Sequence, residues 1–149
     1  MKKFCKALAI ILVFLTLAFA FTACSGADGE VKIIVINGDQ AQEYVIDTTG
    51  SEMGDLLDAF EYLKEDTGCD FTYELSGTFL TSVNGYSANS SSNEFWAIYT
   101  DLEIGGIKYY DISWGTVTYN GVEYASASKG VGELPLNGGS TYIIKLYPY

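Results

Sequence analysis

An α+β domain, a mixed sheet with one packed helix, is predicted by three observations on the sequence. Alternating, β-branched segments recur from Val31 onward. A single stretch, Met53 to Leu63, carries apolar residues at helical spacing. That stretch follows two strand-like segments and precedes all the others, so the helix is laid across a sheet that begins with a hairpin.

Val31-Lys32-Ile33-Ile34-Val35-Ile36 reads as the first strand, Asn37-Gly38-Asp39 as a turn, and Gln42 to Asp47 as the second strand, with Tyr44 and Ile46 on one face. Thr49 followed three residues later by Glu52 has the form of a capping box, and Met53, Leu56, Leu57, Phe60 and Leu63 make the apolar stripe of the helix, which Gly68 ends. Glu52, Asp55, Asp58, Glu61 and Glu65 form its other face and read as solvated surface, the first of them favoured by the helix dipole.

Strands are then predicted at Phe71 to Leu75, Thr78 to Val83, Glu94 to Thr100, Ile107 to Trp114, Val117 to Tyr119, Val122 to Ala125 and Tyr142 to Tyr147. Asn120-Gly121 supplies the two-residue loop of a type I′ hairpin. Hairpin, helix, then strands is the order of a β-grasp, here with an inserted β-hairpin.

The chain has 149 residues, enough for one domain, with 8 Lys, no Arg, no His and 19 acids, a formal charge of −11. Without His there is no Ser-His-Asp or Cys-His nucleophile and no imidazole-held metal. Without clustered Lys and Arg there is no electrostatic footprint for nucleic acid. No pair of carboxylates stands out as general acid and base, so an enzyme is not expected.

Lys2, Lys3 and Lys6 precede Ala7 to Phe21, an apolar run broken only by Thr16. Spanning a bilayer takes roughly 20 apolar residues, so the shorter run reads as the core of a signal peptide. It closes on Phe21-Thr22-Ala23-Cys24, which resembles the bacterial lipoprotein box with Phe21 in place of the usual Leu. The resemblance implies that residues 1–23 are a lipoprotein signal peptide and that Cys24 takes a thioether-linked diacylglycerol. The protein is then extracytoplasmic, anchored to the lipid bilayer of a bacterial cell membrane. A secreted protein cleaved near Ala20 or Ala23 is the other reading. Residues 24–30 serve as a tether, with Ser25 to Glu30 reaching about 20 Å. With Cys5 removed and Cys24 lipidated, Cys69 has no disulfide partner and reads as a small buried hydrophobe rather than a reactive thiol. Losing the first three Lys leaves five against 19 acids, a charge of −14.

Three motifs stand in order beyond the helix: Gly77-Thr78-Phe79-Leu80-Thr81-Ser82-Val83-Asn84-Gly85, then Phe95-Trp96-Ala97-Ile98-Tyr99, then Lys129-Gly130-Val131 with Leu136-Asn137-Gly138-Gly139-Ser140-Thr141-Tyr142. The series resembles the transcobalamin C-terminal-like domain family over residues 31–149. The resemblance implies a β-grasp ligand-binding module. In the animal cobalamin carriers the related domain closes over one face of the corrinoid. Cobalamin or a related corrinoid is therefore the implied ligand, no covalent cofactor is expected, and a membrane transporter is an implied recipient. By position, the loop after Ser82-Val83-Asn84-Gly85 and the start of the Phe95-Trp96 strand border the ligand. The sequence departs from the family at Thr100-Asp101-Leu102, which replaces an Asn-Gly turn and is followed by an insertion from Glu103 to Ala127.

A flat macrocycle with amide edges asks for aromatic faces and a few polar groups. Phe79, Tyr86, Phe95, Trp96, Tyr99 and Trp114, with Ser82 and Asn84, supply both and are the candidate ligand-binding residues. Phe79 and Trp96 also read as core beneath the helix, because either Phe95 or Trp96 must point inward. Tyr109-Tyr110-Asp111-Ile112-Ser113-Trp114, with Tyr119 and Tyr124, is a docking edge for a surface protein, a flap over the ligand, or a set of cross-strand aromatic pairs. A calcium-type site through Asp101, Glu103 and Asp111 is the remaining alternative, and its spacing is not that of an EF-hand loop.

Overall fold

The computed structural model describes residues 28–147, and the signal segment and Cys24 lie outside them. The α+β class is observed. β1 (Glu30–Asn37) and β2 (Gln40–Asp47) form the opening hairpin, with Gly38 at φ +59° in the turn. The helix α1 (Leu56–Glu65) follows, and among the described residues it is the single α-helix. β3 (Tyr73–Ser76), β4 (Phe79–Val83) and β5 (Tyr86–Ser87) make a small separate sheet. β6 (Phe95–Thr100) returns to the main sheet, and β7 (Glu103–Ile104) with β8 (Ile107–Lys108) is a short hairpin. β9 (Tyr110–Tyr119), β10 (Val122–Ala127) and β11 (Thr141–Tyr147) complete the chain.

The main sheet runs β2-β1-β11-β6-β10-β9, with β1 parallel to β11 and the other neighbours antiparallel. First and last strands side by side at the centre, with a helix across one face, is the β-grasp arrangement. No helix among the described residues is long and apolar enough to cross a membrane.

The helix begins later than Thr49-Glu52 predicts. Asp55 is the N-cap: its Oδ1 accepts from the N–H groups of Leu57 (2.9 Å) and Asp58 (3.1 Å), while Asp58 Oδ2 accepts from Asp55 N. Both pairs follow the same Ser/Thr/Asp-x-x-acid logic, but the later one stands where the tertiary structure supports it. Leu56 N also donates to Leu134 O and Leu57 N to Val131 O, so the 131–136 segment satisfies first-turn donors that have no partner inside a helix. Thr49 N donates instead to Asp47 Oδ1, closing a local turn after β2. The helix ends at Asp66, two residues before Gly68, and Gly68 N bonds back to Asp66 Oδ1.

Other boundaries differ as well. The strand expected over Ile107 to Trp114 is split, and its second part runs on through Val117 to Tyr119 as β9. Phe71 and Thr72 precede β3, and Phe71 is buried in the core rather than paired. The Asn120-Gly121 turn is as predicted, with φ +50° and +80° at its two residues.

The core fills the space between α1 and the sheet. Leu56, Ala59, Phe60 and Leu63 of the helix meet Val31, Ile33 and Val35 of β1, Tyr44 and Ile46 of β2, and Tyr142 and Ile144 of β11. Burying one such large side chain contributes roughly 1.5–3 kcal/mol. A second, smaller cluster of Ile34, Tyr99, Val117, Tyr124 and Ile143 occupies the opposite face of the sheet.

Candidate functional site

The site arises where the main sheet comes apart. β6 pairs with β11 from Phe95 to Thr100, but with β10 only at Tyr99↔Ser126 and Thr100↔Ala125. Past Ser126 the chain swings away, Ser128 N bonding to Tyr109 O and Gly130 lying against Thr78. Between β6 and residues 126–130 a wedge opens, a cleft of about 460 Å³.

Four of the eight candidate ligand residues line this cleft. Trp96 and Leu80, both buried, form its floor, and Phe79, Phe95 and Trp114 bring rings to it. Phe79 is 77% exposed and Trp114 is 63% exposed, too much for core positions. Of the two readings open for Phe79, the structure takes the surface one. Trp96 takes the core one, though one side of it meets the cleft. Trp114 reaches the cleft from an irregularity in β9: Thr116 pairs with Ala125 and Asp111 with Ser126, so residues 112–115 loop out between consecutive partners. Asp111 Oδ1 fixes that loop by accepting from Ser113 N at 2.8 Å and Ser113 Oγ at 2.6 Å. These bonds hold the Asp111 carboxyl below its usual range.

Asn84 and Tyr86 belong to a different cavity, of about 550 Å³, shared with Asn37, Gln40 and Gln42 at the tip of the β1–β2 hairpin. Asn84 adopts φ +50°, and its side chain bonds through both its oxygen and its NH2 group. Its Oδ1 accepts from Thr72 N (3.1 Å), and its Nδ2 donates to Gln42 Oε1 (3.1 Å) and Tyr44 Oη (2.9 Å), joining the small sheet to β2. Burial raises the Tyr44 hydroxyl pKa, partly offset by the bond from Asn84.

Ser82 and Tyr99 join neither cavity. Ser82 is buried inside the small sheet opposite Glu74 and Ser87, and Tyr99 lies in the cluster on the far face of the main sheet. Strand alternation explains the second case, since Tyr99 is an odd number of residues from Trp96.

Sequence reasoning missed Ser126, Ser128 and the Lys129–Glu133 pair on the far bank of the cleft. The pair is exposed at 3.9 Å and contributes little to stability. Lys129-Gly130 was present in the third motif, but nothing in its composition says that it faces β6. Asp101 and Asp111 do not gather with Glu103. Asp101 Oδ1 accepts from Thr141 N, Asp111 is held by Ser113, and no group of three or more Cys, Asp or Glu among the described residues is placed to hold a metal ion. Cys69 packs against the core edge but is half-buried rather than buried, with its thiol pKa raised by desolvation and by Asp66.

No family model matches the sequence, and no curated protein matches it. Solved structures do. Haptocorrin in complex with Cbi superposes with a TM-score of 0.52 at 15% identity, over 83% of this chain and 26% of that one. A Ruminococcus gnavus ATCC 29149 protein to which metal binding has been ascribed matches with a TM-score of 0.49 at 18% identity, over 82% of this chain and 99% of that one. The chain thus spans about a quarter of haptocorrin. The chain is an α+β, β-grasp-like domain, alike in fold to about a quarter of haptocorrin, with a cleft where its main sheet parts.

Proposed function

We propose that the chain is an extracytoplasmic, lipid-anchored binding protein of the transcobalamin C-terminal-like kind, with cobalamin or a related corrinoid as the leading ligand. One observation carries the reading: Phe79, the Phe95-Trp96 pair and Trp114, from three separate parts of the sequence, line a single open cleft. Exposed rings beside a strand edge suit a flat, apolar ligand rimmed with amides, because rings cover its faces and backbone groups meet its edges. A cleft of this size holds one side of a macrocycle and leaves the other for a second partner, such as a transporter. The fold-level likeness to haptocorrin, described in complex with Cbi, supports the ligand class. No catalytic role is assigned.

Equilibrium dialysis of the full-length chain against cobinamide and cyanocobalamin tests the reading. Binding that weakens in Phe79→Ala and Trp114→Ala is expected. No retention of either corrinoid at about 1 mM would sink it.

The second reading, a surface module that docks another protein, is favoured by the looped-out segment of β9, where Ile112 and Trp114 stand 64% and 63% exposed. A partner captured by the wild type and lost in the Tyr110→Ala/Trp114→Ala double variant, with corrinoid binding absent throughout, is the result this reading expects.

A further inference from the structure

We propose that the polar cavity at the β1–β2 tip is a separate binding site for an uncharged saccharide. The register places Val35 opposite Gln42 and Asn37 opposite Gln40. Val35 shares its face of the sheet with the core beneath the helix, and alternation puts Asn37, Gln40 and Gln42 on that face too. Nearer the helix this face is fully covered, with Tyr44 and Ile46 buried, whereas Gln40 and Gln42 are exposed. The sheet therefore runs past the helix and presents a row of carboxamides over a buried Val35.

The turn between β4 and β5 supplies the opposite wall. Tyr86 is 50% exposed, and its backbone carbonyl is fixed by Trp96 Nε1. Asn84 is a positioning residue: its Nδ2 donates to Gln42 Oε1, which fixes the Gln42 carboxamide and leaves its NH2 group to donate. Asp39, also in the cavity, contributes acceptors only.

Four carboxamides, of which that of Asn84 is already bonded to Gln42 and Tyr44, a carboxylate and one flat ring make a particular set. Each sugar hydroxyl both donates and accepts, as a carboxamide does. A carboxylate accepts from two neighbouring hydroxyls, and a tyrosine ring packs on the C–H face of a pyranose. No Lys lines the cavity, so a phosphate or uronate finds no counter-charge and meets Asp39. A purely apolar ligand would strip water from the amides without replacing their hydrogen bonds.

The test is a titration of the isotopically labelled full-length chain, followed by amide NMR, with cellotetraose, chitotetraose and mannotetraose. At least one is expected to shift the backbone amides of residues 37–42 and 85–86 and the side-chain NH2 signals of Gln40 and Gln42. Tyr86→Ala and Gln40→Ala should each weaken binding by roughly tenfold, while Tyr86→Phe keeps it, because the ring and not the hydroxyl makes the platform. Phe79→Ala and Trp114→Ala should leave it unchanged, so the outcome is independent of the corrinoid cleft. No shift with any of the three sugars at about 10 mM would overturn the proposal. So would tighter binding of tetragalacturonate, equal shifts from a capped glycine peptide, or undiminished affinity in folded Tyr86→Ala.

Discussion

The indole N–H of Trp96 donates to the backbone carbonyl of Tyr86 at 3.2 Å, and this bond joins the floor of the aromatic cleft to the wall of the polar cavity. Trp96→Phe keeps a ring in the core but removes the donor. A loss of about 1 kcal/mol in urea unfolding is expected, with amide shifts at residues 85–87. Trp96→Ala adds a hole beneath the cleft and should cost roughly 3–5 kcal/mol.

Trp114 is the opposite case. It is 63% exposed and sits on a loop fixed by Asp111, so its ring is held out rather than packed in. Trp114→Ala should change stability by less than about 0.5 kcal/mol. Its effect should appear instead in corrinoid retention, and an unfolding midpoint that drops along with retention would show the ring to be structural.

The helix start separates what the sequence shows from what it hides. Two candidate caps lie six residues apart, Thr49 and Asp55, and both precede an acid three residues on. The one used is chosen by Leu134 and Val131, whose carbonyls reach the first turn from almost eighty residues away. The element order, the Asn120-Gly121 hairpin and the core stripe Leu56-Phe60-Leu63 were legible because each rests on local periodicity or turn chemistry. The division of the candidate site into two cavities was not. It depends on β10 leaving β6 after Ser126 and on the looped-out residues 112–115, and both are long-range events without a local signature. Asp55→Ala should cost about 1 kcal/mol in urea unfolding, and Thr49→Ala less than about 0.5 kcal/mol. The reverse order would return the cap to Thr49.

Stability should fall at both ends of the pH scale for opposite reasons. Hydrogen bonds from Thr49 and Ser113 lower the carboxyl pKa of Asp47 and Asp111 from 3.8. Their contribution is present above that value and is lost as pH falls through the lower folded values. Burial raises Tyr44, Tyr73, Tyr99 and Tyr142 above 10.0, aided at Tyr73 by the Glu61 carboxylate and at Tyr99 by Tyr147. The unfolded chain then ionises first, so stability is intact below pH 10.0 and declines as pH rises through the folded values. Urea midpoints measured with absorbance at the tyrosinate band should fall together above pH 10.0, and less steeply in Tyr142→Phe. A flat midpoint through that range would contradict the buried hydroxyls.

Asn84 allows strain and hydrogen bonding to be separated. At φ +50° an Ala carries a left-handed penalty of about 1–2 kcal/mol, which Gly avoids. Both variants lose the bonds to Thr72 N, Gln42 Oε1 and Tyr44 Oη. The buried Tyr44 hydroxyl is the costliest to orphan, at roughly 1–3 kcal/mol. Asn84→Gly should therefore destabilise by about 2 kcal/mol and Asn84→Ala by about 1 kcal/mol more. Adding Tyr44→Phe to Asn84→Gly should cost little further, since the hydroxyl it removes has already lost its partner. Additive losses would mean that Asn84 and Tyr44 are not coupled, and that the small sheet is held to β2 by packing alone.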